Sequence, residues 1–181
     1  HSDLYTAAVL SGSPDILTVA GAAELVHAEV DRVGRDQVSE VLESGIVEGF
    51  AAAFPDATNP HAWLSRDDDE IRRYEQDPWC GYALCAGAWQ DLISAMVVTT
   101  ELAAVAAGVR KALPIYMLSG SDDPVHNGWQ AIDRIAANYQ QCGLENVIVK
   151  RYDGGRHEMF NETNRNEVTA DLLEWLAAKL G

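Results

Sequence analysis

The sequence predicts an α/β fold built around a parallel sheet, and three consecutive segments support this prediction. Residues 113–118 form a nearly continuous apolar run, which is typical of a strand buried on both faces of a parallel sheet. From about Gly128 the apolar residues take helical spacing, and a second apolar run begins at Val147. A strand, a helix and a strand in this order predict a βαβ unit with two parallel strands.

The helix of this unit has one apolar face and a defined C-terminal end. Gly143 stands where a C-terminal cap belongs, because glycine readily adopts the left-handed conformation with which many helices end. The apolar face consists of Trp129, Ile132, Ile135, Ala136 and Tyr139.

The two ends of the sequence each predict one more element of the core. Residues 7–10 form a short apolar strand that ends in the turn-forming sequence Ser-Gly-Ser-Pro. Residues 165–180 predict a helix, with Thr163 or Asn164 as its N-cap and apolar residues four positions apart on one face. The apolar residues of this helix are Val168, Leu172, Leu176 and Leu180.

Residues 18–107 differ from the segments on either side because most of them have helical spacing. Two amphipathic stripes come first, two X-Pro breakers (54–55 and 59–60) follow, and residues 89–100 form a further helix with an apolar face. The acidic run 67–70 predicts a solvated turn or the first turn of a helix. The stripes are Leu25, Val26, Val30 and Val33, and then Val38, Val41, Leu42, Ile46 and Phe50.

We interpret this helical block as a cap inserted between two strands of the core. The predicted divisions are a core strand (1–17), a helical cap with its return helix (18–112) and a strand-helix-strand-helix core (113–181).

Composition limits the classes of function. The 181 residues are 48% hydrophobic and 23% charged, which is typical of one globular domain. The formal net charge of −15 argues against nucleic acid or an anionic membrane as a partner. No apolar run is long enough for a transmembrane helix. Three cysteines without a CxxC pair favour a reducing compartment, and we expect a cytoplasmic location.

Two loops carry the residues with catalytic chemistry. Asp123 follows the first strand of the βαβ unit, and His157 follows the second strand after the sharp turn 153–156. Since the carboxyl ends of parallel strands meet at one edge of the sheet, we expect both side chains at that edge. A buried carboxylate beside an imidazole is the acid–base half of a nucleophilic triad. Asp122 competes with Asp123 for the role of the acid.

These segments carry a resemblance to a known family. Residues 120–125 read GSDDPV and residues 152–162 read YDGGRHEMFNE; WLSRD at 63–67, Tyr74 and DPWCGY at 77–82 precede them. In this order the motifs resemble the C-terminal half of an α/β-hydrolase. More narrowly, they resemble the monoacylglycerol lipase-like or lysophospholipase-like serine hydrolases, also called the serine aminopeptidase S33 type. The motifs cover nearly the whole chain.

The resemblance implies hydrolysis of a carboxylic ester through an acyl-enzyme, with a monoacylglycerol or a lysophospholipid-like molecule as substrate. It implies Asp123 as the triad acid and His157 as the general base, and it implies no cofactor. The cap residues Trp63, Trp79 and Tyr82 are candidates for lining an acyl-chain pocket, with the aromatic core of a small lid as the alternative. No metal site is expected, because HEMFN lacks the second histidine of the zinc motif HExxH.

The sequence lacks an evident nucleophile. A nucleophile elbow requires Gly-x-Ser-x-Gly, and no glycine of this sequence has a serine two residues later. Ser2, Ser13 and Ser121 stand at positions that do not suit the elbow. We therefore expect the nucleophile and the oxyanion donors on a missing N-terminal half of the fold, or pairing of the chain with itself. The rival hypothesis is a catalytically silent binding or interaction module.

Overall fold

A sheet of three parallel strands lies at the centre of the protein, in a computed structural model that describes residues 2–126 and 128–180. Ala8 is paired with Ile115 in one ladder, and Ile115 is paired with Val147 in the other. The sheet confirms the predicted α/β class. The strands, in spatial order, are β1 (Ala8–Ser11), β2 (Ile115–Gly120) and β3 (Val147–Tyr152).

Helices make up most of the remaining chain. The α-helices are α1 (Ile16–Val33), α2 (Glu40–Leu42), α3 (Gly49–Ala51), α4 (Asp68–Gln76), α5 (Ala86–Thr100), α6 (Leu102–Gly108), α7 (Trp129–Gln141) and α8 (Arg165–Leu180). A π-helical turn (Glu43–Glu48) joins α2 to α3, and short 3₁₀ turns lie at Ser2–Leu4 and Met159–Asn161.

Helices cover both faces of the sheet, and this explains the continuous apolar run of β2. Met117 packs with Ile132 of α7 on one face, while Leu118 packs with Val168 and Trp175 of α8 on the other. All six residues of β2 are buried, as the sequence predicts for a central parallel strand. Each large apolar side chain buried in this way contributes about 1.5–3 kcal/mol to folding.

The predicted ends of α7 and α8 agree with the structure. Gly143, just beyond α7, has a φ of 85°, which is the left-handed conformation expected of a cap glycine. Asn164 precedes the first residue of α8 and stands at the N-cap position, because its carbonyl accepts a hydrogen bond from the backbone N–H of Val168 at 3.2 Å. Trp175 of α8 is buried although the four-residue spacing did not include it, and the side chain of Leu180 lies outside the described residues.

The helices between β1 and β2 have a core of their own, in which α1 packs against α5. The predicted stripes of this region are wrong at three positions, because Leu25, Val38 and Val41 are 42%, 49% and 45% exposed. Val38 precedes α2 and forms an isolated bridge with Cys85, and the π-helical turn after α2 breaks the 3.6-residue period. The buried residues of this core are Val19, Val26, Leu42, Ala86, Trp89 and Ile93.

The acidic run at 67–70 forms the start of α4, as one of the two predictions stated. Asp67 is the N-cap, and its carboxylate accepts a hydrogen bond from the backbone N–H of Asp69 at 3.0 Å. Three further acidic residues in the first turn lie where the helix dipole favours negative charge.

Across residues 2–126 and 128–180, no single helix has the length and apolar character to cross a membrane, although the bent pair α5 and α6 meets both requirements together.

Glu29 makes the stability of the helical region depend on pH. Its carboxylate accepts hydrogen bonds from Nε and Nη2 of Arg32 at 2.9 and 2.7 Å, and from Oγ of Ser39 at 2.5 Å. The Arg32 hydrogen bond and then that of Ser39 lower the pKa of Glu29 from 4.5 to about 2. Because the folded pKa is the lower one, this stabilisation is present above pH 4.5 and is lost as the pH falls towards 2.

We expect Glu29→Gln to lower the Tm at pH 7, and we expect its difference from the wild type to shrink at pH 3. The reason is that protonation of the wild-type carboxylate removes the same stabilisation that the substitution removes. Thermal unfolding followed by circular dichroism at both pH values measures the difference. Glu24→Gln, at an exposed position of the same helix, is the matched control. An equal difference at pH 7 and pH 3 would contradict the prediction.

Candidate active site

The loops of the candidate site lie at the carboxyl edge of the sheet. Asp123 lies in the loop after β2, and His157 lies in the loop after β3. The backbone N–H of Asp122 donates to the carbonyl oxygen of Gly155 at 2.9 Å, which joins the two loops directly. A Cβ atom at Gly120 would overlap that same carbonyl, so this close approach requires glycine.

Asp123 and His157 form a hydrogen-bonded pair. Nδ1 of His157 lies 3.0 Å from Oδ2 and 3.2 Å from Oδ1 of Asp123. The Asp123 side chain is fully buried, whereas that of His157 is 26% exposed. Since a carboxylate only accepts hydrogen bonds, this geometry assigns the proton of the neutral imidazole to Nδ1, and Nε2 then has a free lone pair. The neighbouring Asp122 is exposed and accepts a hydrogen bond from Ser121, so the geometry favours Asp123 as the partner of the imidazole.

Gly12, which follows β1, provides the space in which the imidazole lies. A Cβ atom at this position would lie 2.7 Å from Cε1 and 2.9 Å from Nδ1 of His157. The φ of Gly12 is 59°, a second reason for glycine. The sequence around Gly12 predicts a turn and nothing more. Its position just after a core strand, at the edge that carries Asp123 and His157, is the signal that could have identified it.

We expect Gly12→Ala to separate His157 from Asp123, because the new methyl group would occupy the position of the imidazole. In a complete enzyme this displacement should lower kcat/KM by about 100-fold. In the chain alone, the NMR signal of the hydrogen-bonded Nδ1 proton of His157 should disappear. Gly34→Ala is the control for backbone strain, since Gly34 has a φ of 89° and nothing within 4 Å of an added Cβ. A retained Nδ1 signal in Gly12→Ala would refute the predicted clash.

Glu162 is a buried carboxylate that holds the His157 loop against the segment 63–67. Its Oε1 accepts hydrogen bonds from the backbone N–H groups of Arg66 at 3.1 Å and Arg156 at 3.0 Å. Its Oε2 accepts from Nε of Arg66 at 2.8 Å and from the backbone N–H of Thr163 at 3.0 Å. The side chain of Glu162 is fully buried, so these four donors replace water.

Two backbone hydrogen bonds connect the same segments. His157 N–H donates to the carbonyl of Trp63 at 3.2 Å, and Glu158 N–H donates to the carbonyl of Leu64 at 2.8 Å. The motifs WLSRD and HEMFNE are therefore contact partners. Both motifs are evident in the sequence, but their contact with each other is not.

The three candidate pocket residues border a cavity of about 370 Å³. The ring centroid of Trp63 lies 5.3 Å from that of His157, so this wall of the cavity adjoins the Asp123–His157 pair. Trp79 and Tyr82 are 83% and 65% exposed, which excludes them from the aromatic core of the helical region. Trp89, by contrast, is buried in that core and also borders the cavity.

Two of the three serines considered as nucleophiles, Ser2 and Ser121, have structural hydrogen bonds. Oγ of Ser2 donates to the carbonyl of Gly108 at 3.0 Å and accepts from the backbone N–H of Arg110 at 2.7 Å. Oγ of Ser121 accepts from the backbone N–H of Gly154 at 2.7 Å. The Ser2 hydroxyl is therefore directed at the backbone, whereas the Ser121 hydroxyl donates to the carboxylate of Asp122.

The protein resembles lipases and esterases of known structure. It matches a carboxyl esterase from Bacillus coagulans with a TM-score of 0.82 at 19% identity, covering 97% of this chain and 57% of the esterase. It matches a monoglyceride lipase from Saccharomyces cerevisiae with a TM-score of 0.59 at 16% identity, covering 80% of this chain and 53% of the lipase. At these identities the likeness establishes the α/β-hydrolase fold.

Sequence comparison gives the same assignment. A monoacylglycerol lipase from Mycolicibacterium smegmatis is 29% identical over 97% of this chain and 55% of that enzyme. The chain thus spans about half the length of the relatives that it matches. The sequence profile of the family described as "Serine aminopeptidase, S33" matches residues 39–164. The resemblance found in the sequence motifs is confirmed, and the chain belongs to the serine aminopeptidase S33 family of α/β-hydrolases.

Proposed function

We propose that this chain supplies the acid and the base of a serine hydrolase that cleaves carboxylic esters of the monoacylglycerol or lysophospholipid type. The observation that carries the proposal is the pair formed by Asp123 and His157, whose Oδ2 and Nδ1 atoms are 3.0 Å apart at the edge of the sheet. The relatives and structural neighbours are lipases and esterases, and their names support an ester as the class of substrate.

In the proposed mechanism, Nε2 of His157 takes the proton of a serine hydroxyl as the serine oxygen attacks the ester carbonyl. The resulting imidazolium gives this proton to the departing alcohol, which leaves an acyl-enzyme. A water molecule then attacks the acyl group while Nε2 takes its proton, and the serine recovers a proton when the acid is released. The Asp123 carboxylate holds the Nδ1–H tautomer and stabilises the imidazolium in both steps. None of these steps requires a cofactor.

The serine and the oxyanion donors are proposed to come from polypeptide outside this sequence. Within the described residues, the outer edge of β1 has no strand partner, and Tyr5 and Val9 beside it are 61% and 38% exposed. A parallel strand of the other half of the fold would pair with this edge and bury these residues. A second copy of the chain on the same edge, giving a homo-oligomer, is the alternative.

The remaining assignments extend the same proposal. We infer that the helical region, 18–112, acts as a cap over the core formed by 1–17 and 113–181. Trp63, Trp79 and Tyr82 are proposed to contact the lipid-like substrate, since all three border the cavity.

The three cysteines are free, which supports the proposed cytoplasmic location. The acidic net charge of −15 disfavours nucleic acid as a partner.

Labelling with a fluorophosphonate probe tests the proposal, because the probe reacts covalently with an activated serine. The chain is treated alone and after mixing with the N-terminal half of a full-length relative, and each polypeptide is weighed by intact mass spectrometry. We expect an adduct on the added half only. An adduct on a serine of this chain would refute the proposed location of the nucleophile. Absence of any adduct in a verified complex would favour a catalytically silent binding module.

A further inference from the structure

The cavity beside Trp63 combines aromatic walls with an acidic side chain. Among the described residues that line it, there is no lysine or arginine; Glu43 supplies a carboxylate, and His61 supplies an imidazole whose Nδ1 lies 3.2 Å from Oε1 of Glu75. Its volume of about 370 Å³ falls within the range of about 300–1,000 Å³ common for small-molecule sites. The aromatic side chains that line it are Phe50, Trp63, Tyr74, Trp79, Tyr82 and Trp89.

The carboxylate of Glu43 is fixed at the cavity wall through one of its oxygens. Oε1 accepts hydrogen bonds from the backbone N–H of Leu84 and from Nε1 of Trp89, both at 3.2 Å. In the part of the chain that the structure describes, Oε2 has no hydrogen bond and Glu43 has no ion pair. The two donors therefore orient the carboxylate without neutralising its charge.

A neutral alkyl chain and a cation would interact differently with this lining. An alkyl chain would gain from contact with the aromatic faces, but it would also remove water from Oε2 of Glu43 without replacing the lost hydrogen bonds. An ammonium group would be attracted by the negative faces of the aromatic rings and by the carboxylate at the same time. The net charge of −15 adds a long-range attraction for cations.

We propose that this cavity binds an organic ammonium group, with Glu43 as the counter-ion and the exposed rings of Trp79 and Tyr82 as cation–π partners. This inference extends the proposed function, and what it says about the substrate rests on that function. If Asp123 and His157 act on an ester, the alcohol or acyl part of that ester carries a positive charge, as in esters of amino alcohols.

Choline and its neutral isostere 3,3-dimethylbutan-1-ol provide the test, because they have nearly the same shape and differ in charge. Binding to the chain is measured by quenching of tryptophan fluorescence and by calorimetry. We expect choline to bind about tenfold more tightly than the neutral alcohol. Equal affinities, a preference for the neutral alcohol, or no binding of either compound would overturn the proposal.

Two substitutions test whether the preference for choline over the neutral alcohol arises in this cavity. Glu43→Gln keeps an acceptor for Leu84 and Trp89 while removing the charge, and we expect it to reduce the tenfold preference to about twofold or less. Glu48→Gln removes the same charge from an exposed position of the same turn and should keep the full preference. Circular dichroism and the Tm establish that each variant is folded. A full preference in Glu43→Gln would overturn the role of the carboxylate.

Tyr82→Leu separates the aromatic contribution from simple contact area. It should weaken choline binding about threefold or more while leaving the affinity for the neutral alcohol nearly unchanged. An equal loss for both compounds would contradict a cation–π role.

These measurements do not depend on the missing serine, so the two proposals can fail separately. Choline selectivity without fluorophosphonate labelling of the complete enzyme would retain the ammonium site and reject the hydrolase. Labelling without choline selectivity would retain the hydrolase and reject the ammonium site.

Discussion

Replacement of Asp123 by Asn is expected to lower kcat/KM for ester hydrolysis by about 10⁴-fold in a complete enzyme that contains the serine. An amide at this position can donate a hydrogen bond to Nδ1 of His157, which would place the imidazole proton on Nε2. The imidazole would then lack the lone pair that takes the serine proton. The buried carboxylate also stabilises the imidazolium, and a neutral amide cannot do so.

Asp122→Asn is the matched control for this substitution, because it makes the same chemical change at the adjacent, exposed position. We expect its kcat/KM to stay within about twofold of the wild type, as is common for exposed positions without buried contacts. The chain alone also permits a test by NMR, since Asp123→Asn should remove the hydrogen-bonded Nδ1 proton signal of His157. Loss of activity in Asp122→Asn with normal activity in Asp123→Asn would assign the acid to Asp122.

Replacement of Glu162 by Ala is expected to lower the free energy of unfolding by about 3–5 kcal/mol. The substitution leaves the Arg66 guanidinium without its carboxylate, and it leaves the partly buried N–H groups of Arg66, Arg156 and Thr163 without an acceptor. Urea unfolding monitored by circular dichroism measures the loss as a shift in the midpoint at constant slope.

Two glutamine substitutions show whether the loss belongs to the carboxylate. Glu162→Gln keeps one acceptor oxygen but replaces the other with a donor, so an intermediate loss of about 1–3 kcal/mol is expected. Glu174→Gln, at an exposed position of α8, should change the free energy of unfolding by about 0.5 kcal/mol or less. If Glu162→Ala lowers the free energy of unfolding no more than Glu174→Gln does, Glu162 does not hold the His157 loop against the segment 63–67.

Much of the core and the Asp123–His157 pair could be predicted from the sequence. The apolar run of β2, the helical spacing of α7 and the cap at Gly143 are each encoded within a few neighbouring residues, and the structure agrees with them. The edge of the sheet at which Asp123 and His157 lie could be predicted from the topology of parallel strands, because successive βα loops emerge at the carboxyl ends of the strands. The family assignment followed from short motifs whose order is fixed along the chain.

The exposure of side chains in the helical region was less predictable. Leu25, Val38 and Val41 have the spacing of a buried stripe, yet they face solvent. Hydrophobic periodicity identifies an apolar side of a helix, but the extent of burial depends on which neighbours pack there. Here α1 packs mainly on α5, Val38 lies before α2 in an isolated bridge with Cys85, and the π-helical turn after α2 puts Val41 out of phase with the residues that follow the turn.

The sequence by itself determined the strands, the main helices, the family and the two loops that hold Asp123 and His157, because local spacing and chain topology encode them. Only the tertiary structure decided that Gly12 lies against the imidazole, that Glu43 faces an aromatic cavity and that Glu162 joins Arg66 to the His157 loop. Arg66 and Glu162 are 96 positions apart. Contacts at such separations depend on how the helical region docks onto the sheet, which is a property of packing between distant segments.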